Sequence, residues 1–414
     1  MARGGDMKLI CAKRSAARVI LSLVAAASIA AAPAAMAQQA QSQNPHRKFR
    51  VIHVVPKSTT AGASNAAMVT SQVAAGATIP MWNFSQVAYD SNTYAGQMVG
   101  RNPFARGHRT TTIATEVVPL KITMRDTGDV FDPSVADSCA PGGKSVDTIV
   151  VASPIFQNVS FSMDGVNVGT TQYLDAFQRA NFWSKVSGTP YHTVFSASPT
   201  VLAPVSVSVP AADGSTLPGA LFGGCRDLAT IDINWFDNQL EAVILPKLAA
   251  QGVGPQNFPQ FVLDSVAFTV SGQCCALGYH NAFLNGSGVL QTYSVNMYDT
   301  SGGFGGDIEI MSHEVGEWMD DPGGGNPTPA WGAEGQVTAG SCQANLEVGD
   351  PLSEGFGTPS SPFIVTLGGV SYTLQELAFY SWFYGSPSVG AGGLFSDHGT
   401  FTGNAKACPP GGTN

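Results

Sequence analysis

One stretch constrains the fold more than any other: GDIEIMSHEVGEWMDDP, residues 306–322. On a helix, where successive residues turn by about 100°, His313, Glu314 and Glu317 project from one side. Apolar side chains occupy the opposite side. Pro322 closes the stretch and three glycines follow it. Together they end a helix, because the residue before proline avoids the α region. We therefore predict a helix over residues 307–321, with one core-facing side and one side that carries an imidazole and carboxylates.

The polar side of this helix has the residue types and spacing of a metal site. His313 and Glu317 are four residues apart, so both side chains can hold one ion. Glu314 follows the first ligand, where a carboxylate can act as general base toward a metal-bound water. Glutamate is rare in this chain: six of the nine glutamates lie between positions 309 and 354. This clustering favours a metal site over an acidic helix face in contact with solvent.

The sequence His-Glu-x-x-Glu at positions 313–317 resembles the zincin metallopeptidases, whose usual signature is His-Glu-x-x-His. Here Glu317 stands in place of the second histidine. The resemblance implies a zincin-like α+β fold, in which a mixed twisted sheet supports the active-site helix. It also implies one Zn²⁺ per chain, with another divalent metal as the alternative. The implied activity is peptide-bond hydrolysis by a metal-activated water, with Glu314 as the catalytic base.

A catalytic zinc usually has three protein ligands and a water, so one ligand must come from outside the helix. The metzincin pattern places a histidine at position 323, which is glycine in this chain. The gluzincin pattern takes a downstream glutamate with an acid shortly after it, and Glu347 and Asp350 fit this pattern best. Glu347 is then the third ligand, and Asp350 orients His313 through its other ring nitrogen. The alternative ligands are Asp350, Asp320 and Asp321.

Amide hydrolysis also needs a donor that stabilises the oxyanion. His280 lies in a short extended segment, residues 276–284, which corresponds to the cleft-facing sheet edge of the zincin upper lobe. Such an edge can bind an extended substrate as an added strand. We therefore predict His280 as a second catalytic residue. The alternatives are Tyr279, Tyr380 and Tyr384.

The rest of the chain contains segments with the two-residue period of strands and segments with the 3.6-residue period of helices. This mixture supports the α+β class. After Pro322 the chain is rich in glycine and proline, which predicts a loop-rich C-terminal part. Residues 147–156 are predicted to form a strand and a turn. Further strands are predicted over residues 110–123, 261–271 and 290–298, and helices over residues 171–186 and 231–250.

The N-terminus has the pattern of a secretory signal peptide. Four basic residues flank an apolar run at residues 19–32, which is too short to span a membrane, and small residues follow at positions 35–37. The mature protein is therefore expected to be secreted or periplasmic. We divide the chain into a signal peptide at residues 1–37, a partly irregular extension at residues 38–107 and a catalytic domain at residues 108–414.

The charge balance bears on the partners of the mature chain. Removal of the signal peptide leaves 15 basic and 28 acidic residues, a formal net charge of −13. This charge gives no support to binding of nucleic acid or of anionic membranes. The expected partner is a protein or peptide substrate. Two rival hypotheses are a catalytically inactive exported binding protein and a metal-dependent hydrolase of a non-peptide substrate.

Six cysteines remain after the signal peptide, and an even number in an oxidising compartment suggests disulfide bonds. Cys274 and Cys275 are adjacent, so we expect each to pair with a separate partner. Cys342 and Cys408 are predicted to attach the C-terminal tail beside the site.

Overall fold

The computed structural model describes residues 78–105, 109–332, 342–353 and 362–408. The predicted signal peptide lies outside these residues. In the described part, strands predominate over short helices, so the α+β class is confirmed. None of the helices described there combines the length and the apolar character that a membrane crossing requires.

The central sheet is mixed and is built on one long strand, Thr110–Met124. This strand begins with alternating exposed and buried side chains and then runs almost fully buried, as a strand does when it enters a core. Asn257–Asp264 and Leu290–Tyr298 continue the sheet in parallel, and Gly278–Leu284 forms its antiparallel edge. Other parts of the long strand pair with Val130–Phe131, His192–Phe195, Thr200–Val201 and Val205–Val209.

Smaller sheets surround the central one. A four-stranded sheet contains Gly214–Leu217, Leu228–Asp232, Val266–Val270 and Gln273–Ala276. A three-stranded sheet contains Gln343–Asn345, Pro327–Gly332 and Lys406–Ala407. Three antiparallel pairs are Met81–Val87 with Thr93–Val99, Val159–Met163 with Val166–Thr171, and Pro362–Leu367 with Val370–Gln375.

The helices of the described residues are short, and the longest of these is Glu309–Asp320, called the motif helix below. The other α-helices are Val146–Val151, Tyr173–Asn181, Trp183–Val186, Ile233–Gln239, Leu245–Ala249 and Tyr380–Tyr384. A π-helical segment, Leu240–Ile244, joins two of them. Single 3₁₀ turns occur at Pro141–Gly143, Gly219–Leu221, Asp350–Leu352 and Ala391–Gly393.

The motif helix is packed on all sides, so its predicted polar side is also buried. It packs against the sheet edge Gly278–Leu284, its neighbour Leu290–Tyr298 and the hairpin strand Val370–Gln375. The Trp318 ring stacks on Phe258 at a centroid distance of 3.6 Å. Its indole nitrogen also donates a hydrogen bond of 2.9 Å to the Thr292 hydroxyl. These contacts fix the rotation of the helix and therefore the directions of its polar side chains.

Several of the predicted elements differ from the structure. The strand predicted over residues 261–271 is divided at Ser265, so that Asn257–Asp264 lies in the central sheet and Val266–Val270 in the four-stranded sheet. The helix predicted over residues 171–186 is divided at Phe182 into Tyr173–Asn181 and Trp183–Val186.

Residues 147–156 begin as a helix, Val146–Val151, whose buried residues Val146, Ile149 and Val150 follow helical spacing. The prediction of a strand there is wrong, because it weighed the β-branched composition above this spacing. The predicted helix at residues 231–250 begins at Ile233, because the Asp232 carboxylate caps it by accepting the backbone N–H of Trp235 at 2.9 Å.

Three disulfide bonds lie in the described part of the chain. Cys342 pairs with Cys408, which confirms the predicted link to the C-terminal tail. Cys139 pairs with Cys225. The two adjacent cysteines, at positions 274 and 275, pair with each other. The expectation of separate partners for them is therefore wrong, because the other four cysteines are already joined in two pairs.

Candidate metal centre

The motif helix brings His313 and Glu317 together, as their spacing predicts. His313 Nε2 lies 3.1 Å from Glu317 Oε1 and 3.5 Å from Asp350 Oδ1. One potential ligand atom from each of the three residues lies within 4.8 Å of those from the other two. Asp350 therefore faces Nε2, the His313 nitrogen that would bind a metal. The sequence predicted that Asp350 contacts the opposite ring nitrogen.

The opposite ring nitrogen of His313 contacts Gln375, a residue that the sequence analysis missed. His313 Nδ1 lies 3.1 Å from Gln375 Oε1, and the Gln375 amide nitrogen donates to the Gly349 carbonyl at 2.6 Å. Because the amide oxygen can only accept, Nδ1 carries a proton, and Nε2 is the ring nitrogen that faces the carboxylates. An N–H donated to an oxygen acceptor in this way is typical of histidines that bind metals.

The segment that carries Glu347 and Asp350 is held on both sides by backbone hydrogen bonds. The Leu346 N–H donates to the Asn326 carbonyl at 3.0 Å, and the Ala378 N–H donates to the Val348 carbonyl at 2.8 Å. Leu346 and Val348 are fully buried in the core, so the intervening Glu347 is directed to the other side. Its Oε1 accepts from the Asn345 side chain at 2.6 Å.

Gly349 permits the close approach of this segment to the motif helix. A Cβ atom at this position would lie 2.5 Å from His313 Nδ1, closer than real Cβ atoms come to another heavy atom. The Gly349 N–H also donates to Glu317 Oε1 at 3.2 Å. The sequence offered one signal for this contact, a glycine between two predicted site acids.

We expect Gly349→Ala to lower metal affinity by about 10–100-fold, the usual effect of disturbing the groups that orient metal ligands. The added methyl group would push His313 away from its present position. The measurement is isothermal titration of metal-free protein with Zn²⁺. Gly286→Ala is the control, because a Cβ there meets no atom within 4 Å. Equal affinities of the two variants would contradict the expectation.

His280 is the second histidine of the centre, and it reaches the motif helix from the sheet edge. Its Nε2 lies 3.0 Å from the Asp321 backbone carbonyl, which can only accept, so Nε2 carries the proton. Its Nδ1 lies 3.6 Å from Glu314 Oε2 and 3.7 Å from Glu317 Oε2. In this arrangement its proton is directed to the Asp321 carbonyl, and the oxyanion donor predicted at His280 is not free for a substrate.

Glu347, the predicted third ligand, lies on the His280 side of the centre. Its Oε2 is 3.9 Å from His280 Nε2 and has no hydrogen-bond partner among the described residues. Glu347 belongs to neither of the two groups of converging ligand atoms found in the described part, which are His313, Glu317 and Asp350, and His280, Glu314 and Glu317. Asp350, and not Glu347, thus converges with His313 and Glu317, where the third ligand was predicted.

The centre is buried and rich in negative charge. No member of its six-residue set exposes more than 7% of its surface. Burial raises the pKa of Glu347, and the neighbouring carboxylates of Glu317, Asp321 and Asp350 raise it further, well above its usual range. Burial lowers the pKa of His313, but Glu317 and Asp350 outweigh that effect and raise it well above the ordinary value. The six residues are His280, His313, Glu314, Glu317, Glu347 and Asp350.

Comparison of the chain with protein-family models, curated proteins and solved structures gives no significant match. The resemblance to zincins therefore rests on the sequence motif alone.

Asp320 and Asp321, the alternative ligands, are occupied elsewhere. Asp320 accepts hydrogen bonds from the side-chain amides of Gln178 and Asn181. Asp321 accepts the backbone N–H groups of residues 325 and 326 at 2.9 and 2.8 Å, and so holds the turn after the motif helix. Both carboxylates thus have hydrogen bonds with structural roles.

The pKa of Asp320 is raised to about 7, chiefly by burial. The unfolded-state pKa is about 3.9, so the folded protein keeps a proton that the unfolded chain releases. The contribution of Asp320 to the free energy of unfolding should therefore fall as the pH rises from about 4 to 7, by up to about 1.4 kcal/mol per pH unit. Urea denaturation of wild type and Asp320→Asn across this range measures it. A pH-independent difference between the two proteins would contradict the assignment.

The tyrosines considered as oxyanion donors belong to aromatic clusters. Tyr279 packs edge-on against Phe268, with ring centroids 5.6 Å apart. Tyr380 packs against Phe84 in the same manner at 5.4 Å. The Tyr384 hydroxyl donates to the Pro327 carbonyl at 3.0 Å. The structure therefore gives these residues packing contacts rather than a position at the centre.

Proposed function

We propose that the protein is an exported metal-dependent hydrolase that cleaves peptide bonds. The observation that carries the proposal is the convergence of His313 Nε2 with carboxylate oxygens of Glu317 and Asp350 in a buried site. Imidazole nitrogen and carboxylate oxygen are ordinary zinc ligands, and the contact of His313 with Gln375 supplies the expected orienting hydrogen bond. The residues present thus fit a divalent cation, with zinc the first candidate.

The proposed ligands are His313, Glu317 and Asp350, with Asp350 in the place that the sequence gave to Glu347. A zinc ion there would supply Lewis-acid polarisation of the substrate carbonyl and a more acidic water. Glu314 follows His313 on the helix and is the proposed proton acceptor. Burial raises its pKa, although His280 and His313 act in the opposite direction. A carboxylate of raised pKa suits acceptance of a proton from water and its transfer to the leaving amine.

The proposal of export rests on the signal-peptide pattern of residues 1–37 and on the three disulfide bonds. Disulfides persist in secreted and periplasmic proteins and are rare in the cytosol. A secreted or periplasmic location also agrees with a peptide substrate found outside the cell.

The test is metal content together with hydrolysis. Mature protein purified without chelators should contain zinc by elemental mass spectrometry and should cleave an unstructured protein such as casein. Treatment with a chelator should abolish cleavage, and added Zn²⁺ should restore it. If metal-containing protein cleaves esters or glycans from a substrate panel but no peptide, the protein would be a metal-dependent hydrolase of a non-peptide substrate. Protein that neither contains nor takes up metal would overturn it.

A second candidate is a non-catalytic metal centre, and the burial of the site favours it. Open metal positions need access for substrate, whereas His313 exposes 4% and Glu317 4% of their surfaces. A structural ion would raise the thermal stability without any hydrolysis. Bound metal combined with no cleavage in a broad peptide library would support this candidate against the first.

A further inference from the structure

The two carboxylate oxygens of Glu317 face two different sets of ligand atoms. Oε1 faces His313 Nε2, as described for the proposed metal centre. Oε2 faces His280 Nδ1 at 3.7 Å, and Glu314 Oε2 lies 3.6 Å from the same nitrogen. The second set, His280 with Glu314 and Glu317, is therefore as complete as the first, and Glu317 belongs to both.

His280 Nδ1 faces two carboxylates, and this arrangement requires a positive charge, either a proton or a cation, between the nitrogen and the carboxylate oxygens. Nδ1 is buried without a hydrogen-bond partner among the described residues, and His280 exposes 1% of its surface. The contacts of 3.6 and 3.7 Å are also longer than the N–H···O hydrogen bonds of about 2.7–3.2 Å that a second proton would form.

The separations agree with ligands around an ion. Atoms that bind zinc at about 2.1 Å in a tetrahedral arrangement lie about 3.4 Å apart. The nitrogen-to-oxygen distances are 3.6 and 3.7 Å in the His280 set and 3.1 and 3.5 Å in the His313 set. Carboxylates that bridge ions about 3.5–4 Å apart are a recurring feature of two-metal hydrolytic sites.

The negative charge of the site also favours bound cations at both sets of ligands. Among the described residues, the ion-pair contacts of Glu314, Glu317 and Glu347 are made by histidines. Glu347 adds a buried oxygen with no hydrogen bond, 3.9 Å from His280. Glu314, Glu317 and Asp350 are further buried carboxylates beside the two histidines, and bound divalent cations would offset their negative charge.

We propose that the chain binds a second divalent cation through His280, Glu314 and Glu317, with Glu317 bridging it to the first. This inference rests on the proposed metal centre at His313. It adds a ligand role for Glu314, whose Oε2 belongs to the second set.

Metal stoichiometry tests the proposal directly. Metal-free mature protein is titrated with Zn²⁺, and in parallel with Mn²⁺, and bound metal is counted after gel filtration. The wild type should bind two equivalents, and both His280→Gln and Asp350→Asn should bind one. Two bound Mn²⁺ ions sharing a carboxylate should also give an exchange-coupled electron paramagnetic resonance spectrum. Glu116→Gln, a change in a buried glutamate outside the centre, should bind two equivalents.

One equivalent in the wild type, with an uncoupled Mn²⁺ spectrum, would overturn the second site, since a protonated His280 then neutralises the two carboxylates. This count does not depend on whether any variant folds. Hydrolysis by protein with a single equivalent would leave the proposed function in place without the second ion. Two equivalents and a coupled spectrum without hydrolysis would support the second site and remove the proposed function.

Discussion

Glu314→Gln should lower peptide hydrolysis by about 10²–10⁴-fold, the usual contribution of a general base. Glutamine keeps the size of the side chain but cannot accept a proton from water. The ligands of the His313 set are unchanged, so at least one metal equivalent should remain. The measurement is kcat/KM on a fluorogenic peptide identified by library screening, with metal content determined on the same sample.

The control for this experiment is Glu116→Gln, in which a buried glutamate on the strand Thr110–Met124 is changed in the same way. Glu116 accepts a hydrogen bond from Asn257 and has no contact with the centre. The activity of the Glu116→Gln variant should equal that of the wild type. Full activity of Glu314→Gln would show that the proton is accepted elsewhere, and Glu347 would be the next residue to change.

Glu317→Gln is expected to lower Zn²⁺ affinity by more than 100-fold, because it removes a charged ligand from the His313 set. The amide oxygen of glutamine can still accept the backbone N–H groups of Gly349 and Asp350, which Glu317 Oε1 now accepts at 3.2 Å. The fold should therefore be kept. Isothermal titration measures the affinity, and circular dichroism of the metal-free protein checks the fold.

This variant also bears on the bridging role of Glu317. If Glu317 serves both sets of ligands, Glu317→Gln should affect every bound equivalent, whereas His280→Gln should affect one. Unchanged affinity in Glu317→Gln would exclude it as a ligand. The reference is again Glu116→Gln, which should titrate like the wild type.

The sequence predicted the parts of the centre that depend on local geometry. His313, Glu314 and Glu317 lie on a single helix, and helical periodicity alone places His313 beside Glu317. The strand Leu290–Tyr298 was also predicted at residues 290–298, because alternation of apolar and polar residues is a local signal.

The remaining parts depend on contacts between distant segments. Glu347 and Asp350 are both acids three residues apart, and only the packing of Leu346 and Val348 determines which carboxylate meets His313. The tautomer of each histidine is set by an oxygen far away in sequence, on Gln375 for His313 and on Asp321 for His280. No periodic pattern in the sequence encodes these pairings.

The Cys342–Cys408 disulfide lies close in sequence to two acids of the candidate centre, so its redox state bears on the proposed binding of metal. It closes a loop with a sequence separation of 66 and begins directly before the segment that carries Glu347 and Asp350. In the chain-entropy account, closing such a loop stabilises the folded state by about 4 kcal/mol. In the reduced chain the segment keeps its backbone hydrogen bonds and its buried Leu346 and Val348, but it loses the covalent link at Cys342. On the proposed function, reduction should therefore weaken ion binding, because ordering the ligand segment then costs more conformational entropy.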